Sequence, residues 1–370
     1  MCELVCSLYE LKSVYQLPIN SVIQSARKQN LLESLDLESD FDGDSCDIKT
    51  LKTMFSGQYK LEAETSVSMS RCFVLHISGS VSSNSKIVAA LSNYSCAVYD
   101  VPHLTKLDTT SEHKGPVSGI NPARDNLFYS CSLDGLIKLW DLRSGLKKSV
   151  QVFKDDTDDT GHPKPLRSFD IACNDRFVSA GTELVDGDAF LLFWDARSSN
   201  LLGGYWESHR EEITQVRFHP SKCDTIATGS TDGLINIFDL SQGCEDDALL
   251  YSLNTEASVR KSVEDCYLVN LHQNTSSREL FLIAGTTAQR GECLRTVAVK
   301  NNTLKPLSQF LENKQIVRTS WYDENNGMLV TGGESGLISL WKPSKSTLES
   351  SSSGRKMSSK AKEHHKHMPY

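Results

Sequence analysis

The sequence of 370 residues has no run of 18 apolar residues, which excludes a membrane-spanning helix. It has no excess of basic charge either, since 39 Lys and Arg stand against 47 Asp and Glu for a formal net charge of −8. A chain that coats nucleic acid over a broad face leans the other way. The 11 cysteines, spread from Cys2 to Cys293, include no Cys-x-x-Cys pair. That pattern is neither a zinc ribbon nor a secreted disulfide framework, and it predicts reduced thiols in an intracellular protein of cytoplasm, nucleus or both. The opening residues carry Glu3 ahead of any basic residue and no small-residue cleavage site, so no secretory leader is expected.

Catalytic motifs are missing too. There is no G-x-x-x-x-G-K-[ST] phosphate loop, no G-x-S-x-G elbow and no paired-His metal helix. The stretch Asp40–Asp47 starts with calcium-like spacing, but Leu51 stands at the twelfth position, where a bidentate Glu is required. His364, His365 and His367 near the C-terminus are read as incidental. No cofactor, no metal site and no enzymatic activity are expected.

What the chain does have is a repeat. The segments NLFYSCSLDGLIKLWDLRSG and DTIATGSTDGLINIFDLSQG align without a gap. Each reads as an apolar strand, an S-x-D-G turn, a second alternating strand, an aromatic-Asp pair and another turn. Asp-Gly suits a tight two-residue hairpin, because Gly accepts positive φ at little cost. The outline returns as FVSAGTELVDGDAFLLFWDARSS, KIVAALSNYSCAVYDVP and GMLVTGGESGLISLWKPSK. The aromatic-Asp pairs fall at Tyr99-Asp100, Trp140-Asp141, Trp194-Asp195 and Phe238-Asp239, with Trp341-Lys342 as a degenerate last copy. Successive intervals of 41, 54 and 44 residues match a four-stranded propeller blade. The next interval, 103 residues, holds one further unit, with Ala298-Val299 in the place of the aromatic-Asp pair. Strand-period alternation with frequent turn signals, and no long helical periodicity in residues 65–343, predicts an all-β chain. Four-stranded sheets with two apolar faces must stack, and closing the stack into a ring protects the terminal faces.

On these motifs the chain resembles the WD-repeat family over about 290 residues. The resemblance implies an all-β WD-repeat β-propeller, here with six recognisable four-stranded blades where the family pattern is seven. The missing blade falls near residues 253–264, and three explanations stand open: a variant lacking one blade, a closed six-bladed ring, or an open ring with a gap. The resemblance also implies a hydrogen-bonded tetrad per blade: a His before the first strand, a Ser or Thr in the second, the turn Asp and the Trp. The second unit offers His113, Ser130, Asp134 and Trp140. The third offers His162, Ser179, Trp194 and either Glu183 or Asp186, and the fourth offers His209, Thr228 and Asp232 with Phe238 replacing Trp. In each, the His precedes an apolar residue by four (Val117, Leu166, Ile213). The last unit has Glu312 and Ser335 at the His and Asp positions, which puts its tetrad in doubt. These His-Ser-Asp sets recur with the repeat, whereas a hydrolase triad occurs once; they read as frame.

Residues 1–48 form an acidic leader, with seven acids and no bases in 31–47, and residues 344–370 a basic Ser/Lys-rich tail; both are predicted to be disordered. The propeller takes residues 49–343. No fourth strand follows Trp341; the resemblance implies that ring closure borrows it from the N-terminal side, with Leu51–Ala63 as the candidate donor. The function expected is a non-catalytic protein-interaction scaffold within a larger complex, with the acidic loops Lys154–Pro165 and Gly243–Ala248 as candidate contacts. A second expectation rests on two W-D-x-R motifs, which resemble the box by which some WD-repeat proteins dock the DDB1 adaptor of cullin-4 ubiquitin ligases. By that resemblance Arg143 and Arg197 contact the adaptor. A third, a ribosome-assembly or RNA-associated role, is suggested by the basic tail, and direct nucleic-acid binding is not expected outside that tail.

Overall fold

In the second unit, Leu127–Ser132 and Ile137–Asp141 alternate residues that turn to opposite faces of one sheet. Phe128 and Trp140 face one side and Tyr129, Cys131, Ile137 and Leu139 the other, and all are buried. A sheet apolar on both faces needs a sheet on each side. The computed structural model supplies them. It describes residues 55–344, apart from 56, 70, 81–85, 124–125, 158–162, 256–265, 275–276, 278, 287–292 and 301–302. The acidic leader and the basic tail beyond Ser344 lie outside the described residues.

Six four-stranded blades form in chain order. Blade 1 holds β2 (Val74–Ser80), β3 (Lys86–Leu91), β4 (Cys96–Asp100) and β5 (Thr105–Thr109); blade 2 holds β6 (Val117–Pro122), β7 (Leu127–Ser132), β8 (Ile137–Asp141) and β9 (Gln151–Phe153). Blade 3 holds β10 (Leu166–Ile171), β11 (Phe177–Thr182), β12 (Leu191–Asp195) and β13 (Leu201–Tyr205); blade 4 holds β14 (Ile213–Phe218), β15 (Thr225–Ser230), β16 (Leu234–Asp239) and β17 (Leu249–Asn254). Blade 5 holds β18 (Cys266–Asn274), β19 (Glu279–Thr286), β20 (Leu294–Lys300) and β21 (Thr303–Phe310). Blade 6 takes β22 (Val317–Asp323), β23 (Met328–Gly333) and β24 (Leu337–Pro343), and its fourth strand is β1 (Gly57–Ser66), from the other end of the chain.

The first strands ring the axis, β2 against β6 and β22, β10 against β6 and β14, β18 against β22. Apolar seams run between blades. Val88, Ala90 and Val98 of blade 1 pack on Phe128 and Trp140 of blade 2, while Ile87, Ala89 and Tyr99 pack on Trp321, Val330 and Leu340 of blade 6. Burying one such side chain contributes about 1.5–3 kcal/mol. Polar links repeat at the axis: Ser118 Oγ donates to the Leu166 carbonyl (2.7 Å), Ser168 Oγ to that of Ile213 (2.8 Å), and the Val317 amide to the Tyr267 hydroxyl (3.0 Å).

β14 and β18 do not pack together as the first strands of the other five junctions do. This junction falls where the sequence lacks a blade, and residues 256–265 of the connection lie outside the described residues. On the far face of blade 4, Ala227, Ile235 and Ile237 are nevertheless buried, as are Leu280 and Leu282 on the matching face of blade 5. The inner strands of these two faces are thus covered, whereas Tyr251 of the outermost strand, opposite Ile237, is 62% exposed.

The N-terminal donor strand is present over Gly57–Ser66; residues 51–54 and 56 of the expected segment Leu51–Ala63 lie outside the described residues. It pairs antiparallel with β24, Leu61 opposite Trp341 and Ser66 opposite Leu337. It also pairs in parallel with β21, Gly57 opposite Ser308 and Tyr59 opposite Phe310, so blades 5 and 6 form one eight-stranded sheet. That second pairing was not expected. Tyr59 stacks on Phe310 at 4.8 Å, and Phe310 meets Trp341 edge-on at 5.1 Å.

Two expectations are corrected. The Asp-Gly connections are longer than two residues: Leu133–Leu136 separate β7 from β8, and Thr231–Gly233 separate β15 from β16. Gly135 and Gly233 still take the positive φ (80° and 85°) for which Gly was invoked. The thiols are not all reduced, because Cys173 in the β10–β11 turn is bonded to Cys223 in the β14–β15 turn.

Candidate functional site

Blade 2 assembles its four polar residues. His113 Nδ1 lies 2.9 Å from Asp134 Oδ2 and its Nε2 lies 2.7 Å from Ser130 Oγ, which accepts the Trp140 indole N–H at 2.8 Å. One tautomer satisfies every atom: Nδ1–H donates to the carboxylate, and Nε2 accepts the serine hydroxyl proton. The second Asp134 oxygen accepts the Leu136 amide, which ties the network to the turn. Burial alone would raise the Asp134 carboxyl, but the hydrogen bonds from His113 and the Lys114 and Leu136 amides hold it below its ordinary value. Ser130 is wholly buried and its oxygen is taken by the indole, so no substrate carbonyl can reach it. This His-Ser-Asp set fastens the strand to the turn and is not built for nucleophilic attack.

Blade 4 repeats the arrangement without the indole. His209 meets Asp232 at 3.1 Å and Thr228 at 2.7 Å, with Phe238 fully buried in the tryptophan's place. Asp232 is likewise held below its ordinary value, His209 and the Leu234 and Arg210 amides outweighing burial.

Blade 3 does not form the expected set. His162 lies outside the described residues. Val178 pairs with Trp194 as Phe128 pairs with Trp140, so Ala180, and not Ser179, occupies the position of Ser130. Ser179 faces the other way, and its buried hydroxyl finds no hydrogen-bond partner. Trp194 donates to the Lys154 carbonyl at 2.8 Å. Of the two turn acids, Glu183 pairs with Arg167 at 3.4 Å, and Asp186 sits at φ 54° in the turn. Blade 6 keeps one bond of the set, Trp341 Nε1 to Thr331 Oγ1 at 2.8 Å. Its Glu312 accepts from the Leu61 amide of β1, and the buried Gln315 does the work at the turn, accepting from the Ser335 and Leu337 amides. Thr331 and Gln315 were not singled out in the sequence; the alignment of GMLVTGGESGLISLW with the earlier repeats signals Thr331, and Gln315 stands outside that segment.

The surface candidates stand on exposed turns. Arg143 clasps Asp141 through Nε (3.0 Å) and Nη2 (2.8 Å), and Arg197 clasps Asp195 in the same two-pronged way (3.2 and 3.1 Å). The guanidinium holds Asp141 down to about 2, and Asp195 is lowered for the same reason. Both arginine side chains remain about two-thirds exposed, 67% and 69%. The acidic segment Gly243–Ala248 is less free than a solvated loop: Glu245–Ala248 form a helical turn, and Glu245 accepts from the Trp206, Glu207 and Ser208 amides. In Lys154–Pro165, the part within the described residues ties Asp155 to Lys164 and Thr157. A cavity of about 840 Å³ lies on the ring axis, and among its lining residues Arg167 pairs with Glu212 and Arg318 with Glu334.

The family model for the WD domain, G-beta repeat, matches residues 104–141 and 202–239. Each match starts at or beside the outermost strand of one blade and ends with the third strand of the next, so each repeat interlocks two blades. The chain carries WD40 repeats at these residues, and its stacked four-stranded sheets have the architecture of a WD40 β-propeller. It is similar to the WD repeat-containing protein 89 homolog of Dictyostelium discoideum, 29% identical over 189 residues, 51% of this chain and 47% of that one. An uncharacterized WD repeat-containing protein of Schizosaccharomyces pombe is 29% identical over 180 residues, 47% of this chain and 52% of that one. The GATOR2 complex protein WDR24 of Danio rerio is 28% identical over 153 residues, 41% of this chain and 18% of that one. The matches to the first two relatives thus span about half their lengths. No helix among the described residues is long and apolar enough to cross a membrane.

Proposed function

We propose that this chain is a non-catalytic, intracellular protein-interaction scaffold that acts within a larger complex. The observation that carries this reading is the use of the repeat's reactive-looking residues: His113, Ser130, Asp134, His209, Thr228 and Asp232 are consumed in buried hydrogen bonds, which leaves the rims and turns as the chemistry presented to solvent. A relative named for its place in the GATOR2 complex supports the same reading. Purification of the tagged full chain at physiological salt is expected to bring down other proteins at fixed stoichiometry. Recovery of the chain alone would count against a scaffold.

A second reading is favoured by Arg143 and Arg197, which stand exposed on equivalent turns of adjacent blades. In it the chain is a substrate receptor that presents both arginines to the DDB1 adaptor of cullin-4 ligases. Each is pinned by its own aspartate, which fixes the fork's direction and lowers the entropy cost of docking. Arg143→Ala combined with Arg197→Ala is expected to cut adaptor co-purification at least tenfold while leaving Tm within about 2 °C, since exposed ion pairs contribute little to stability. Adaptor recovery equal to wild type would remove this reading. The ribosome-assembly or RNA-associated reading rests on the tail beyond Ser344, which lies outside the described residues.

A further inference from the structure

Cys173 and Cys223 occupy equivalent turns of neighbouring blades, between the first and second strands of blades 3 and 4. Their Cα atoms are 5.2 Å apart and their sulfurs are bonded, across 50 residues of sequence. Cys173 is exposed and Cys223 half-buried. Among the other described cysteines outside blade 5's first strand none is disulfide-bonded: Cys72, Cys96 and Cys131 are buried, Cys244 is exposed and Cys293 is half-buried. Among the described residues it is the one disulfide.

The seam beneath it holds without it. Ser168 Oγ donates to the Ile213 carbonyl, and the half-buried Asp170 accepts from the Phe218 amide at 2.7 Å and from Asn121 of blade 2. Ala172, Leu191 and Phe193 of blade 3 pack on Ile213, Phe218 and Phe238 of blade 4. Solvent reaches the bond, and the seam below it has apolar packing and hydrogen bonds of its own.

We infer that Cys173 and Cys223 form a reversible thiol–disulfide pair whose reaction partner is a small disulfide or thiol of the glutathione class. In the oxidising direction the Cys173 thiolate, the more exposed, attacks one sulfur of the small disulfide, releases one small thiolate and leaves a mixed disulfide on Cys173. The Cys223 thiolate attacks the Cys173 sulfur, forms the 173–223 bond and expels the second small thiolate. The two protein thiols lose two electrons and two protons, and the small disulfide takes up both as two thiols. Reduction runs the same steps backwards. The oxidised form staples the β10–β11 turn of blade 3 to the β14–β15 turn of blade 4, and the reduced form leaves them joined only by the seam.

The test uses the full chain equilibrated in glutathione buffers of graded ratio, alkylated, digested without reductant and mapped by mass spectrometry, with melting followed in parallel. The 173–223 cross-linked peptide is expected to accumulate in oxidised glutathione and to vanish in excess reduced glutathione, with Tm about 5 °C higher in the oxidised form. Cys173→Ser and Cys223→Ser are each expected to keep the wild-type far-UV circular dichroism and to lose that redox-dependent shift. Absence of the cross-link in oxidised glutathione, its persistence in the native chain under excess reduced glutathione, or an undiminished shift in Cys173→Ser would each overturn the inference.

Discussion

Removing residues 57–66 is expected to abolish the single cooperative melting transition of the propeller. The deletion takes away the whole of β1, which is at once the fourth strand of blade 6 and the parallel neighbour of β21 in blade 5. It strips the ladder from β24, uncovers Trp341 and Phe310, and removes the Tyr59 ring stacked on the latter. Losing one large core side chain costs about 3–5 kcal/mol, and this change loses a strand's hydrogen bonds besides. Since whole domains are stable by only about 5–15 kcal/mol, the loss is comparable with the total. Differential scanning calorimetry checks it: a broad or absent transition is expected, and an unchanged Tm would show that the ring does not depend on its clasp. The single change Leu61→Pro, opposite Trp341, is expected to move Tm in the same direction by a smaller amount.

The second large effect lies in blade 2. Asp134→Ala leaves the His113 Nδ1–H and the Lys114 and Leu136 amides without their acceptor, in a region almost closed to solvent. At roughly 1–3 kcal/mol for each unpaired buried group, with water able to reach some of them, the expected cost is about 3 kcal/mol in urea unfolding. Asp232→Ala removes the same contacts from blade 4, and because blades 2 and 4 are not neighbours the two costs are expected to add. A cost below about 0.5 kcal/mol for either would contradict a structural role.

The same carboxylates set an acid limit. Asp134 and Asp232 are held below the ordinary 3.8 in the folded state, so on acidification the unfolded chain takes up their protons first. Their contribution is complete above about pH 4 and is lost as the pH falls through their lowered folded values. Asp134→Asn is expected to be less stable than wild type at pH 7 and to lose less of its remaining stability between pH 4 and pH 2.

How far the sequence reveals this molecule depends on whether the information is periodic. The Trp140-Asp141, Trp194-Asp195 and Phe238-Asp239 pairs recur, and recurrence fixes both the blade and the set His113, Ser130, Asp134 and Trp140. The clasp is legible from the family resemblance together with the Ser/Lys-rich composition after Ser344, which has no strand-period alternation. Ser179 shows where the method slips. The connection after β11 in blade 3 is lengthened, the count along the strand moves by one, and a one-residue shift turns a side chain to the opposite face. Anchoring the count at Trp194 gives Ala180. The Cys173–Cys223 bond and the β1–β21 pairing join segments 50 and about 250 residues apart and carry no local signal. The direction in which Arg143 and Arg197 fold onto their own aspartates is likewise a matter of side-chain geometry.

The measurement that bears most directly on a ring built from stacked sheets and closed by its own first strand is amide hydrogen exchange on the full chain. The hydrogen-bonded amides of Gly57–Ser66 are expected to exchange as slowly as those of Leu337–Pro343 and Leu127–Ser132, and all three to be released together at the denaturant midpoint. Exchange of Gly57–Ser66 within seconds, while the other two strands stay protected, would contradict the account.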